Sequence, residues 1–277
     1  MSRIEKNKKV TVATVLQRKG REKVAVLTAY DCFMAYLLDD AGIDILLVGD
    51  SAANVLHGHK TTLAIGMDVM VAHTAAVARG NKRALVVADM PFLSYQPSRE
   101  TAIRNAGRFL AEGSAEAVKL EGGLEMAATA ARLIECGIPV MAHIGLTPQS
   151  INRFGGPKVQ GRDDKSRAYL IESALALEQA GCFSIVLELV RSDVAAEITE
   201  SCKTMVTIGI GSGPHCDGQV LVINDILGLR DPAFKPRFLR EYADLKPVIS
   251  DAAKRYIDDV KNGAYPNEAE SFGPNGK

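Results

Sequence analysis

Along the chain, short and nearly unbroken apolar runs alternate with stretches whose apolar residues recur at helical spacing. The runs are VAVLT (24–28), DILLVGD (44–50), ALVVAD (84–89), AVKLEGG (117–123), IPVMAHIG (138–145), SIVLELV (184–190) and MVTIGIGSG (205–213). Strands that are apolar throughout, rather than at alternate positions, are buried on both faces, as in a parallel sheet. An eighth run, VLVIND (220–225), has the right composition but follows the seventh closely. Between the runs lie segments such as AATAARLIECG (127–137) and ESALALEQAG (172–181), which read as helices. Gly42, Gly113, Gly137 and Gly181 each close such a segment just before a run, where the left-handed conformation that ends a helix is expected.

Seven or eight strand–helix units favour a closed barrel over an open doubly wound sheet. The first run ends TAYDCF, without the early glycine fingerprint of a nucleotide-binding sheet. GIGSG (209–213) is glycine-rich, but it comes late and matches neither GxGxxG nor the P-loop pattern. Two readings of it stand, a phosphate loop and a close approach of backbone to a neighbour. The 277 residues suit one α/β barrel domain spanning 1–277. A solvated N-terminal arm is expected over about 1–23, and a C-terminal helical region with a loose tail over about 232–277.

Charge and composition narrow the functions. Lys+Arg and Asp+Glu are both 33, so the chain lacks the basic excess of a nucleic-acid binder. Aromatic content is 5% with no Trp, which disfavours base-stacking platforms. No apolar stretch is long enough for a membrane span, and MSRIEKNKKV lacks the core of a secretory leader. The five cysteines are odd in number and form no CxxC, as expected of reduced thiols in a cytoplasmic protein. The balance of charge is uneven locally. The first 23 residues hold eight basic and two acidic side chains, so the remainder has an acidic excess of six.

Barrel sites lie at the C-terminal ends of the strands, and the runs deliver polar groups there. The second ends in Asp50 and Ser51, the third in Asp89, and the fourth in Lys119 and Glu121. The fifth carries His143 and the sixth Glu188. Four carboxylates at one rim repel one another, and a divalent cation is the simple way to keep several ionised. Oxygen donors suit Mg²⁺, with Asp50, Asp89 and Glu121 as the expected ligands. Glu188 is then free to act as a base. Lys119 shares a strand face with Glu121 and could hold a substrate anion. His57, His59, His73 and His215 are weaker candidates for touching substrate.

These residues sit in segments that closely resemble one family. LTAYDCFMA, LLVGDSAANVLHGHKTTL, VVADMPFLSY, VKLEGG, MAHIGLTPQSINRFGGPKVQGR, IVLELV and IGIGSGPHCDGQVLVINDILGL run in the order seen in the 3-methyl-2-oxobutanoate (ketopantoate) hydroxymethyltransferase family. The resemblance covers nearly the whole chain, including YIDDVKNGAYPNEAESF near its end. It implies a (β/α)₈ TIM barrel of the phosphoenolpyruvate/pyruvate type, Mg²⁺ as cofactor, and 5,10-methylenetetrahydrofolate as co-substrate. The implied reaction passes a hydroxymethyl group to 3-methyl-2-oxobutanoate to give 2-dehydropantoate in pantothenate biosynthesis. By motif, Asp50, Asp89 and Glu121 match the metal site and Glu188 matches the general base. Asp50, Ser51, Asp89 and Lys119 match the oxo-acid positions, and His143 matches a histidine beside that ligand. The implied assembly is a homo-oligomer, a decamer in the family, with no nucleic-acid or membrane partner. The chain departs from the family pattern at Ala52-Ala53-Asn54, His59-Lys60, Ala64, Pro157, Leu189-Val190-Arg191 and Asn224. The alternative is a related Mg²⁺ lyase or mutase acting on another 2-oxo acid.

Overall fold

The structure, a computed structural model, describes residues 8–231 and 236–273. Residues 1–7 of the expected arm, and 232–235 and 274–277 of the expected C-terminal region, therefore lie outside the described residues. The chain divides after Ile223 into two compact units.

The first unit is a closed barrel of eight parallel strands in sequence order. They are β1 (Val24–Thr28), β2 (Ile45–Val48), β3 (Leu85–Asp89), β4 (Ala117–Glu121), β5 (Val140–Gly145), β6 (Ser184–Glu188), β7 (Val206–Ile210) and β8 (Gly218–Leu221). All seven expected runs form strands, and β8 begins two residues before the eighth run and ends within it at Leu221. Longer helices, among them Met67–Gly80, Arg99–Ala111, Leu124–Glu135 and Asp164–Gln179, follow individual strands. Every residue of β2, β3 and β4 is buried.

Inward positions repeat every second residue along a strand. Their lower layers, Val24, Val26, Ile45, Leu47, Leu85, Val87, Ala117, Met141, Val186, Val206, Ile208 and Val220, belong to one apolar core. Two residues further along the same faces come Asp89 in β3, Lys119 in β4, His143 in β5 and Glu188 in β6. The periodicity that fills the barrel below thus aims polar side chains at its C-terminal mouth.

Residues 8–23 are not a solvated arm. Thr11 caps a short helix, Val12–Gln17, and Val10 and Val15 are buried within the barrel core. Apolar residues at helical spacing, spread among lysines, give this segment a face that seals the N-terminal end of the barrel. Of the four helix-ending glycines, Gly42, Gly137 and Gly181 are left-handed as expected. Gly113 is not, and Ser114 takes the positive φ instead. At Gly113 the constraint is space, since a Cβ would lie 2.7 Å from the Phe109 carbonyl oxygen and 3.0 Å from Thr74 Cγ2. All five cysteines are free, and no described helix is long and apolar enough to cross a membrane.

The N-terminal end of the barrel is tied by Asp217. Its carboxylate accepts from Lys19 Nζ at 2.7 Å, Thr207 N and Thr207 Oγ1 at 2.9 Å each, and Gly20 N at 3.2 Å. Asp217→Ala leaves the buried Thr207 N–H without its acceptor and removes the counter-ion of Lys19, and is expected to cost about 2 kcal/mol in denaturant unfolding at neutral pH. Burial alone would raise this carboxyl, but Lys19 and Thr207 outweigh it and hold it below its ordinary value of 3.8. A depressed acid contributes stability above its unfolded value and loses it as pH falls through its folded one. The stability gap between wild type and Asp217→Asn should therefore be full at neutral pH and close below pH 3.8.

The second unit contains the helix Leu245–Lys261, begun by the Asp244 side chain accepting from Lys246 N. A capped turn over Glu268–Glu270 follows it.

Candidate active site

The expected residues meet in one place. Asp50, Ser51, Asp89, Lys119, Glu121, His143 and Glu188 all line a cavity of about 180 Å³ at the C-terminal mouth of the barrel. Apolar walls come from Leu47, Pro148, Val186, Ile210 and Val220. That space suits a ligand of a few heavy atoms rather than a drug-sized molecule. His57, His59, His73 and His215 do not line it. His57 Nε2 and His73 Nε2 instead share a hydrogen bond of 3.1 Å, and His73 Nδ1 bonds the Tyr30 carbonyl oxygen at 2.8 Å. Asn54, one of the departures from the family pattern, does line the cavity and donates to the His59 carbonyl.

Register explains the pairings. The Cα atoms of Asp89 and Lys119 are partners across β3 and β4, and those of Glu121 and His143 across β4 and β5. Lys119 Nζ accordingly lies 2.7 Å from Asp89 Oδ1 and 3.2 Å from His143 Nδ1. His143 sits between two carboxylates, with Nδ1 3.4 Å from Glu121 Oε1 and Nε2 3.2 Å from Glu188 Oε2. Asp50 comes from the turn after β2, one residue off the inward series 45, 47, 49. Its backbone N–H donates to Asp89 Oδ2 at 3.1 Å, which ties the two acids together. Ser51 Oγ shares a 2.9 Å hydrogen bond with Tyr30 Oη.

Burial and like charges set the electrostatics. Burial, then Asp89 and Glu121, push the Asp50 carboxyl up to about 8. Burial raises Asp89 more than Lys119 lowers it. At Glu121 burial is opposed by His143, Lys119 and the Gln149 amide, and the acid is held low. Burial works against the charge on Lys119, but Asp89, Glu121 and Asp50 outweigh it and raise its pKa. For His143, burial and Lys119 are outweighed by Glu121 and Glu188, which lift it to about 9. The pocket thus sets two cationic side chains among four carboxyl groups, of which burial holds Asp50 and Asp89 toward the protonated form.

Three supporting residues lie in the family-like segments but are not candidates on their own. Gln149, in the turn after β5, donates from Nε2 to Asp50 Oδ2 and to the Met90 carbonyl oxygen, both at 2.9 Å. Its backbone N–H donates to Glu121 Oε2 at 2.9 Å. Buried Tyr95 accepts from Glu121 N at 3.0 Å and lies 2.8 Å from Gln149 Oε1. Ser212, within GIGSG, donates to the Leu187 carbonyl and accepts from Val190 N. It braces the backbone on both sides of Glu188. That favours the close-approach reading of the glycine loop over the phosphate reading.

Among the described residues no three His, Cys, Asp or Glu side chains already converge as a metal-ligand set. The donors nevertheless suit a hard cation. Asp89 Oδ1 and Glu121 Oε1 are buried, and beyond their ion pairs with Lys119 and His143 they receive no hydrogen bond. Mg²⁺ commonly takes only one or two carboxylates and fills its octahedron with water or substrate oxygens.

The sequence model of the ketopantoate hydroxymethyltransferase family matches residues 9–268. A 3-methyl-2-oxobutanoate hydroxymethyltransferase of Thermotoga neapolitana is 54% identical over 95% of this chain and 96% of its own length. One from Syntrophus aciditrophicus is 50% identical over 98% of this chain and 100% of its own. Among solved structures, a phosphonopyruvate hydrolase in complex with oxalate and Mg²⁺ superposes with a TM-score of 0.59. It is 11% identical and covers 94% of this chain and 93% of its own. A 2,3-dimethylmalate lyase of the PEP mutase/isocitrate lyase superfamily gives 0.57 at 14% identity, covering 95% and 92%. At such identities these two structures show the fold alone, a (β/α)₈ barrel.

Proposed function

The chain belongs to the ketopantoate hydroxymethyltransferase family, and from that premise we propose that it makes 2-dehydropantoate from 3-methyl-2-oxobutanoate, with 5,10-methylenetetrahydrofolate as one-carbon donor. The observation that carries the reading is the convergence of Asp50, Asp89, Lys119, Glu121, His143 and Glu188 on one small cavity. The reaction belongs to pantothenate biosynthesis and is placed in the cytoplasm.

Mg²⁺ would be held by Asp50, Asp89 and Glu121, in part through water. When bound it polarises the carbonyl of the oxo acid and offsets the charge of the enolate. The protein's own groups do the rest. Ser51 and Lys119 hold the oxo acid by its oxygens. Glu188 takes the proton from the carbon next to the carbonyl, leaving the electron pair as an enolate. His143, 3.2 Å from Glu188 Oε2, fixes the direction of that carboxylate. The ammonium of Lys119 offsets the growing negative charge in a site shielded from water. The enolate carbon then bonds to the methylene carbon of the folate. That bond replaces one of the methylene's two C–N bonds, and the freed nitrogen takes the proton held by Glu188. The second C–N bond is replaced by a bond to the oxygen of water, whose proton goes to the other nitrogen, so that tetrahydrofolate leaves with both N–H groups restored. Incubation with Mg²⁺ and 3-methyl-2-oxobutanoate should give 2-dehydropantoate only when methylenetetrahydrofolate is present. Conversion of the oxo acid to another product without folate would favour a lyase or mutase.

Gly145 gives a test of geometry. It is left-handed at φ 97°, its Cα is paired with that of Glu188, and a Cβ there would lie 2.2 Å from the Glu188 carbonyl oxygen. Gly145→Ala must push the end of β6 aside. We expect about a 10²-fold loss of turnover with the circular dichroism of a folded barrel retained.

A further inference from the structure

The Gln149 carboxamide uses all of its hydrogen-bonding capacity inside the site. Nε2 has two N–H groups, and they go to Asp50 Oδ2 and the Met90 carbonyl oxygen. Oε1 faces Tyr95 Oη at 2.8 Å and Gln96 Nε2 at 3.2 Å. The orientation of the amide follows from these neighbours. Turned over, it would set an oxygen against a carboxylate and a carbonyl, and its N–H groups against Gln96 Nε2.

Tyr95 locks that orientation. Its hydroxyl has one proton and two possible acceptors, Gln149 Oε1 at 2.8 Å and the Glu121 carbonyl at 3.2 Å. Glu121 N already donates to the same hydroxyl oxygen, so the shorter contact takes the proton. A chain of bonds therefore runs from the backbone of Glu121 through Tyr95 and the Gln149 amide to Asp50. It links the end of β4 to the turn after β2. Gln149 also reaches Glu121 Oε2 through its backbone N–H. One buried residue thus sets the direction of one carboxylate with its side chain and of another with its main chain.

We propose that Gln149, locked by Tyr95, is a positioning residue that aims the Asp50 carboxylate at the cation. The inference rests on the metal reading given under Proposed function. Partners of metal ligands typically cost 10–100-fold in affinity when removed. Gln149→Met keeps the length and volume of the side chain and removes both donors. Tyr95→Phe keeps the ring and removes both the lock on the amide and the acceptor of the Glu121 backbone N–H.

The test measures the rise in thermal midpoint with added Mg²⁺ alone, which separates binding from basal stability. Gln149→Met should need at least about tenfold more Mg²⁺ than wild type for its half-maximal rise, and Tyr95→Phe should fall between the two. The kcat/KM of Gln149→Met should recover toward wild type as Mg²⁺ is raised, which a loss of packing alone would not do. If the Mg²⁺ response of Gln149→Met equals that of a responsive wild type, the inference fails while the metal reading stands. If wild type shows no Mg²⁺ response, both fail. Should Gln149→Met not fold, an unshifted Tyr95→Phe overturns the inference by itself.

Discussion

Glu188→Gln is expected to lower turnover by about 10²–10⁴-fold, the range that a positioned general base supplies. The substitution keeps the shape of the side chain and a polar contact for His143 Nε2, 3.2 Å away in the wild type. It removes the capacity to accept a proton. Oxo-acid binding should change much less than turnover, because the contacts proposed to hold the ligand come from Ser51 and Lys119 rather than from Glu188. Steady-state kinetics resolve this as a fall in kcat with KM nearly constant. A variant that turns over at the wild-type rate would assign the proton abstraction to another group.

Lys119→Met has the largest expected effect on stability. Lys119 is 3% exposed and lies 2.7 Å from Asp89, with Glu121 and Asp50 also raising its pKa. Removing the ammonium leaves the Asp89 carboxyl buried without the cation that lies 2.7 Å from it. Breaking such a pair costs about 3–5 kcal/mol, a large share of the stability of an ordinary domain. Denaturant unfolding at neutral pH measures the loss. The double variant Lys119→Met with Asp89→Asn should be more stable than Lys119→Met alone, because the unpaired charge is gone. Activity should stay low in both, since the positive charge beside the developing enolate is missing.

The sequence shows the fold and the charged part of the site for the same physical reason. Strands of a barrel are apolar on both faces, so an Asp89 or a Lys119 at the end of such a run stands out. Parity then tells which face it shares, as with Leu85, Val87 and Asp89. β8 is hard to place because it has only four residues and no helix separates it from β7. The N-terminal segment is misleading because its lysines dominate the composition, while the burial of Val10 and Val15 depends on a tertiary partner. Gln149 and Tyr95 escape notice because neutral groups in loops leave no charge or periodic pattern. Gln149 is 99 residues from Asp50 along the chain, and only the closed barrel brings the two together.

In the proposed mechanism the cavity removes a proton from the oxo acid before any one-carbon unit arrives. Nuclear magnetic resonance of 3-methyl-2-oxobutanoate in D₂O, with wild-type protein and Mg²⁺ and without folate, tests it directly. Steady loss of the signal from the proton next to the carbonyl is expected as deuterium replaces it, with that loss absent in Glu188→Gln. A wild-type protein that leaves this proton unexchanged, yet forms 2-dehydropantoate once methylenetetrahydrofolate is added, would contradict it.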